Sequence, residues 1–316
     1  MTSKNITIRE AADFFRSHDR YTILCHANPD GDTAGCGYGL LRALRKLGKT
    51  ARLRCADPIS ERFSFMWEGI AETEFPEETV VSVDVADSRL LGKYEKEYEG
   101  RIAFAVDHHI SHVDFSELLL NEPDAAACCE TICRIIEALG VPLDAGIAAC
   151  LYTGIATDSG CFRYPSVTPD THRIAAKLLE YDFGFAELNY ILFERKTRAR
   201  LLLEETIYRE MEFLCGGKCA VMILPKELLA SVDPEDVNGI SALPRQIEGV
   251  EVGVVIKEKE NGWKASLRSN SVDVQKICAA FGGGGHIRAA GCSFPNRDPR
   301  EVRALLLGEI EKALSV

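Results

Sequence analysis

Asp107, His108 and His109 stand together at the end of a β-like apolar run over residues 102–106. Carboxylates and imidazoles bind metal ions and move protons, so a strand that stops in three of them presents reactive groups at a sheet edge. Two other apolar runs end the same way. Residues 21–25 lead into His26-Ala-Asn-Pro-Asp30-Gly-Asp32, and residues 80–83 lead into Asp84, with Asp87 three residues on. A single aspartate after a strand is ordinarily a turn residue or a helix cap, and a single histidine is ordinarily a packed or solvated side chain. Convergence changes that reading. Three of the seven histidines follow β-like runs directly, and open α/β sheets carry their chemistry at the carboxyl ends of their strands.

With Asp158, which closes an apolar stretch over residues 144–157, these positions make one candidate cluster: His26, Asp30, Asp32, Asp84, His108 and Asp158. Four carboxylates share a pocket as anions only if cations neutralise them. Oxygen-rich ligation with imidazole and no thiolate favours Mn²⁺ or Mg²⁺ over structural zinc. The number of donors exceeds what one such ion takes from protein when water must also bind, so two ions sharing a bridging carboxylate fit better. A two-ion site clamps both the attacking and the leaving oxygen of an in-line displacement at phosphorus. Asp30 and Asp32 lie two apart in a glycine-containing turn and can address different ions, and Asp32 is placed to cap a following helix, where the dipole favours its anion.

The elements that position these residues follow from hydrophobic spacing. Residues 7–17 have helical periodicity, a strand is expected over 21–25, and a helix over 33–47 is closed by Gly48. Short strands are expected over 51–55, 80–84 and 102–106, with a polar region over 57–78 and a helix over 88–98. This alternation predicts an α/β fold with a mainly parallel sheet flanked by helices on both faces. Helices follow over 124–139, 144–157, from Thr168-Pro169-Asp170 to about 181, 185–193 and 197–213. The chain is 316 residues long, comfortable for two domains. The boundaries expected are 1–195 for the first domain, a linker helix over 196–213, and 214–316 for a smaller α+β domain. That second half holds a strand over 219–224, a hairpin of 250–258 with 263–268 about Asn261-Gly262, a helix over 273–281, the run Gly282 to His286, and a last helix over 299–314.

The net charge of −11 argues against a protein that holds long duplex nucleic acid through its general field, because such binding neutralises phosphates. It leaves room for a small anionic substrate at a local positive site. None of the 12 cysteines forms a C-x-x-C pair, and without a signal peptide or an apolar run of membrane length a reduced, cytoplasmic protein is expected. The glycine run admits two readings, a flexible turn or an anion site in which amides at a helix start are approached closely. Arg268, at the end of a strand, suits bidentate contact with phosphate.

HANPDGD, the VDVAD of 83–87, DHH at 107–109 and TGIATDSGCF at 153–162 resemble the four ordered motifs of the DHH phosphoesterases. GGGGH at 282–286, with SLRS at 266–269 upstream, resembles the associated DHHA1 substrate domain. The resemblance covers essentially the whole chain, and the layout is most similar to the stand-alone nanoRNase branch, the bifunctional oligoribonuclease and 3′-phosphoadenosine-5′-phosphate phosphatase type. It implies that His26, Asp30 and Asp84 hold one Mn²⁺ and that Asp32, Asp84, His108 and Asp158 hold the second, with Mg²⁺ or Co²⁺ as alternatives. It implies that Asp107 orients an imidazole, that His109 faces the scissile phosphate, and that a hydroxide between the ions attacks phosphorus. Arg268, Ser269, Gly283, Gly284, Gly285 and His286 would bind substrate, with Arg288 a weaker candidate; Asn28 would shape its loop and Asp87 would be structural. Short RNA oligonucleotides and nucleoside bisphosphates are the implied substrates, and a homodimer is compatible with the family. Linear dinucleotides, pyrophosphate, or nucleotide binding at an inactive site are the competing readings.

Overall fold

The computed structural model describes residues 2–71 and 73–314. The chain forms two compact units, residues 1–195 and 196–316.

The first unit is a six-stranded sheet. Its strands are β1 (Lys4–Asn5), β2 (Tyr21–Leu24), β3 (Ala51–Arg54), β4 (Thr79–Val83), β5 (Phe104–Asp107) and β6 (Leu118–Asn121), in the order β1-β6-β5-β4-β2-β3. Every pairing is parallel. The central strands read Tyr-Thr-Ile-Leu, Thr-Val-Val-Ser-Val and Phe-Ala-Val-Asp and are buried at every position, as a parallel sheet covered on both faces requires. The chain leaves β2 for β3 on one side, then crosses to β4 on the other. The strand order therefore reverses between β2 and β4, which is where an open α/β sheet opens a crevice at its carboxyl edge.

Helices α1 (Ile8–Ser17), α2 (Gly31–Lys46), α4 (Cys128–Leu139) and α5 (Ala145–Asp158) build the main core with Ile23, Val81, Val83 and Phe104. Alternation sends Leu24 and Val80 to the opposite face, where they pack with Leu91, Ile102 and Tyr98, Tyr98 closing the single turn α3 (Glu95–Tyr98). The helix expected over 88–98 is not continuous. Residues Ser88–Tyr94 are 3₁₀, interrupted by Gly92 at φ 59°, and α3 follows. Helix α4 starts at Cys128 rather than at 124. Helix α6 (Pro169–Leu178) begins with Thr168 as its cap, and α7 (Phe185–Asn189) gives way to a π-turn over Tyr190–Glu194.

The second unit opens with α8 (Arg198–Glu210). The helix expected to reach 213 stops three residues earlier, because Glu212–Leu214 is strand β7. Strands β8 (Cys219–Leu224), β9 (Val252–Lys259), β10 (Gly262–Ser269), β11 (Gly284–His286) and β12 (Ala289–Pro295) complete a mixed sheet in the order β11-β12-β10-β9-β8-β7. Only β8 and β9 pair in parallel. One face packs on α10 (Val274–Ala279) and α11 (Pro299–Leu314) through Val254, Ile256, Leu267, Ile277, Leu306 and Ile310. The other face packs on α8 and the segment after α9 (Lys226–Ala230) through Leu203, Ile207, Met222 and Ile240. The expected β9–β10 hairpin forms one residue earlier than Asn261-Gly262. Lys259 pairs with Gly262, so the turn residues are Glu260 and Asn261, and Gly262 at φ 132° starts β10. Among the described residues no helix is long and apolar enough to cross a membrane.

Candidate metal centre and active site

Three strand ends and one helix end meet at the carboxyl edge of the first sheet. His26 follows β2, and its Nδ1 is 2.8 Å from the carbonyl of Ala27. A carbonyl only accepts, so that contact needs the proton on Nδ1 and, in the neutral ring, leaves the Nε2 lone pair for a cation. Nε2 stands 3.6 Å from Asp30 Oδ1 and 3.7 Å from Asp84 Oδ2. His108 repeats the arrangement. Its Nδ1 meets the carbonyl of Ala125 at 3.1 Å, and its Nε2 faces Asp32 at 3.8 Å, Asp84 at 3.5 Å and Asp158 at 3.5 Å. These spacings are too long for direct hydrogen bonds and suit donors arranged about a cation.

Asp84 belongs to both groups. It sits just past β4 at φ 57°, a left-handed conformation uncommon outside glycine that asparagine and aspartate adopt more readily than other side chains. Its amide donates to Val106 at 2.9 Å, which ties this turn to β5 and sends Oδ2 toward His26 and Oδ1 toward His108. Asp84 is 2% exposed, and Oδ1 is buried with no hydrogen-bond partner. An orphaned buried carboxylate oxygen is costly, and divalent cations are what this donor set fits. Burial, and then the charges of Asp32 and Asp30, push the Asp84 carboxyl well above its ordinary range. Burial and Asp32 likewise push Asp158 up to about 7.

Asp30, not Asp32 as expected, caps α2. It accepts the amides of Asp32 at 3.0 Å and Thr33 at 3.1 Å. Asp32 lies inside the helix and reaches across to the start of α4, where Cys128 and Cys129 donate their amides to Oδ2 at 2.6 Å and Oδ1 at 3.0 Å. Helix α4 has no side-chain cap of its own; Asp32 supplies one from α2, and the dipole of α4 favours its anion. Asp107 is fully buried. Oδ1 accepts the His108 amide and His109 Nδ1, each at 2.8 Å, and Oδ2 accepts His112 Nδ1 at 2.5 Å. Burial alone would raise its carboxyl, but the bonds and charges of His109 and His112 hold it well below the ordinary range. Asn28, at φ 52°, donates its amide to Asp57, and Asp87 caps the 3₁₀ segment and pairs with Arg89.

Sequence spacing did not reveal three supports of this site: His112, the amides of Cys128 and Cys129, and the glycines between α2 and α5. A Cβ on Gly154 would lie 2.2 Å from Cys129 Sγ and 2.6 Å from Asp32 Oδ1, and one on Gly31 would lie 2.3 Å from Thr157 Oγ1. The helices approach this closely only without side chains, and the approach brings Asp32 beside Asp158. Gly154→Ala is expected to lower stability by about 1–3 kcal/mol through overpacking, read by urea denaturation in chelator, and to weaken Mn²⁺ binding in a titration. Unchanged stability and unchanged Mn²⁺ affinity together would refute this account of the glycine.

The glycine run of the second unit is not at a helix start. Gly284, Gly285 and His286 form β11 and pair with Gly291, Ala290 and Ala289 of β12. A Cβ on Gly283 would meet the Gly291 carbonyl at 2.3 Å, and one on Gly285, at φ 138°, the Ala289 carbonyl at 2.5 Å, whereas Gly284 faces open space. Arg268 pairs across the sheet with Ala289 and Gly253. His286 is exposed and Arg288 is exposed at the hairpin turn. Ser269 is buried; its hydroxyl donates to the Val272 carbonyl and its amide to that of Arg288.

The family model of the DHH family N-terminal domain matches residues 20–155, and that of the DHHA1 domain matches residues 216–315. The bifunctional oligoribonuclease and PAP phosphatase NrnA of Thermus thermophilus is 34% identical over 299 residues, covering 93% of this chain and 90% of that protein. An exopolyphosphatase-related protein from Bacteroides fragilis superposes with a TM-score of 0.88 at 22% identity, over 96% of this chain and 95% of that one. The exonuclease RecJ bound to manganese superposes with a TM-score of 0.55 at 14% identity, over 95% and 93%; these two likenesses show the fold. Motif order, parallel topology and relatives agree, and this chain belongs to the DHH/DHHA1 phosphoesterases, a family of phosphoric ester hydrolases.

Proposed function

We propose that this chain hydrolyses short oligoribonucleotides and 3′-phosphoadenosine-5′-phosphate with two divalent cations, Mn²⁺ ahead of Mg²⁺ or Co²⁺. His26, Asp30 and Asp84 would hold one cation; Asp32, Asp84, His108 and Asp158 would hold the other. The observation that carries the reading is Asp84, buried between two bare imidazole nitrogens with one oxygen turned to each. The names of the Thermus thermophilus relative and of the manganese-bound exonuclease support the substrate class and the metal.

When bound, the cations would neutralise the carboxylates and acidify a water to act as nucleophile. The chain's own residues do the rest. Asp107 accepts His109 Nδ1–H, which would leave Nε2 to face a phosphoryl oxygen. Burial opposes the charged form of His109, but the bond to Asp107 and its charge outweigh that and raise its pKa. A proton held on Nε2 would steady charge on the reacting phosphate. In the second unit Arg268, Gly283, Gly284, Gly285 and His286 would contact a terminal phosphate or ribose, Gly284 being the glycine whose surroundings are open. Ser269 holds that turn by donating its hydroxyl to Val272 and its amide to Arg288, and its hydroxyl oxygen would remain an acceptor toward substrate. Such substrates would fit a cytoplasmic enzyme.

Labelled RNAs of two to five nucleotides, pApA, 3′-phosphoadenosine-5′-phosphate and pyrophosphate, each with Mn²⁺, form the test. The dinucleotides and the bisphosphate should be turned over fastest, with rates falling as the RNA lengthens. Turnover of pyrophosphate above all of them would sink the reading.

A further inference from the structure

The loop after β5 carries an imidazole that the proposed chemistry does not use. His112 is 3% exposed at its side chain and places Nδ1 2.5 Å from Asp107 Oδ2, while His109 and the His108 amide occupy Oδ1. The loop is shaped to bring it back. The His112 amide donates to the His109 carbonyl at 3.2 Å, Val113 donates to Ala86 at 2.8 Å, and Asn121 Nδ2 holds the same His109 carbonyl at 3.0 Å. His112 Nε2 is buried without a partner, and the ring lies 5.3 Å from that of Phe115. Only Nδ1 is engaged, so the ring serves as a one-sided donor with its proton on Nδ1.

We propose that His112 is a positioning residue for phosphoester hydrolysis: its Nδ1–H fixes the rotation of the Asp107 carboxylate, and Asp107 thereby fixes the tautomer and aim of His109. A carboxylate has a free torsion about its Cβ–Cγ bond. With Oδ2 anchored by His112, Oδ1 stays in line with His109 Nδ1, and His109 Nε2 stays turned to the substrate. Without that anchor Oδ2 is a buried oxygen without a donor. The carboxylate then rotates to share its existing donors, and the His109 ring is released. The inference rests on the reading that His109 faces the scissile phosphate, and the experiment separates the two.

The variants are His112→Phe, which keeps a ring and removes the donor, His112→Asn, whose amide donates from the Nδ1 position, and His112→Gln, whose amide donates from the wrong distance. Each is combined with His109→Ala, and kcat, KM, Mn²⁺ affinity and melting temperature are measured on a labelled dinucleotide. Outer partners of this kind are typically worth ~10–100-fold, so His112→Phe and His112→Gln should lose that much in kcat with KM and Mn²⁺ affinity little changed. His112→Asn should recover most of it, and His112→Phe should cost nothing further on a His109→Ala background. Full activity in folded His112→Phe, equal loss in the Asn and Phe variants, or an undiminished loss on His109→Ala would each overturn the proposal. Normal kcat in His109→Ala alone would remove the reading of His109 and the proposal with it. A His109→Ala defect beside an active His112→Phe would remove the proposal only.

Discussion

Asp84→Asn is expected to abolish turnover while leaving the chelated protein at least as stable as its parent. Asp84 is the one residue common to both donor groups, with Oδ2 3.7 Å from His26 Nε2 and Oδ1 3.5 Å from His108 Nε2. Asparagine keeps the shape and one carbonyl oxygen but loses the charge and one of the two acceptor directions, so the two proposed cations could no longer share a ligand. Metal-ion stabilisation of a phosphoryl transition state is worth several kcal/mol; a loss of about 4 kcal/mol is roughly three decades in rate. Stability should move the other way because burial and the surrounding aspartates disfavour the Asp84 anion when no cation is present. A neutral amide escapes that cost. The measurement is kcat on a labelled dinucleotide with Mn²⁺, together with melting in chelator. A kcat within tenfold of the parent would end the shared-ligand assignment, and a lower melting temperature in chelator would end the electrostatic account.

The proposed ligands of this site were legible in the sequence because each lies next to a local signal. Asp84 and His108 directly follow fully buried strands, His26 stands two residues past the end of another, and Asp158 ends an apolar helix. Their supports were not legible because those contacts join distant segments. The bonds from Cys128 and Cys129 to Asp32 span 96 and 97 positions, and no spacing rule links a Cys-Cys pair to a carboxylate that far upstream. Local competition explains other differences. Asp30 and Asp32 are both chemically fit to cap α2, and backbone geometry alone gives the role to Asp30. The polar run over 88–98 has helical spacing, yet Gly92 takes a left-handed conformation and breaks it. β1 spans two residues and β6 four, too short to register against the helical pattern on either side. The glycine run shows the sharpest limit. Its amides suggested a helix start, whereas two of its glycines are demanded by the β12 backbone passing within a side chain's reach. A residue type can be required by packing and still stand where a ligand would touch.

Mn²⁺ is expected to raise the melting temperature by on the order of 10 °C, and by more at alkaline than at acidic pH. Each of the two proposed sites at ~100 times its Kd would add about 2.7 kcal/mol, and for a unit of this size each kcal/mol moves the midpoint by ~2–4 °C. The pH dependence comes from the carboxylates. Asp84 and Asp158 hold protons more tightly folded than unfolded, whereas unfolded carboxyls titrate near ~3.9. The folded chelated chain therefore binds more protons above that pH, and its stability falls as pH rises. The contribution is whole below about pH 4 and is lost as pH climbs through the folded value of Asp158, about 7, and beyond it for Asp84. His26 and His109, also raised, act in the same direction. Asp30 and Asp107 act oppositely, since their lowered values give stability that disappears only in acid. Asp158 is 37% exposed at its side chain, so solvent screens its share and Asp84 should dominate. Cations need both groups as anions, and metal displaces their protons, so the stabilisation by Mn²⁺ grows over the interval in which the chelated protein weakens. Melting in chelator and in Mn²⁺ at pH 5, 6.5 and 8 reads both slopes. A metal increment that does not change with pH, or a falling chelator slope that survives intact in Asp84→Asn/Asp158→Asn, would show that these two carboxylates do not govern the linkage.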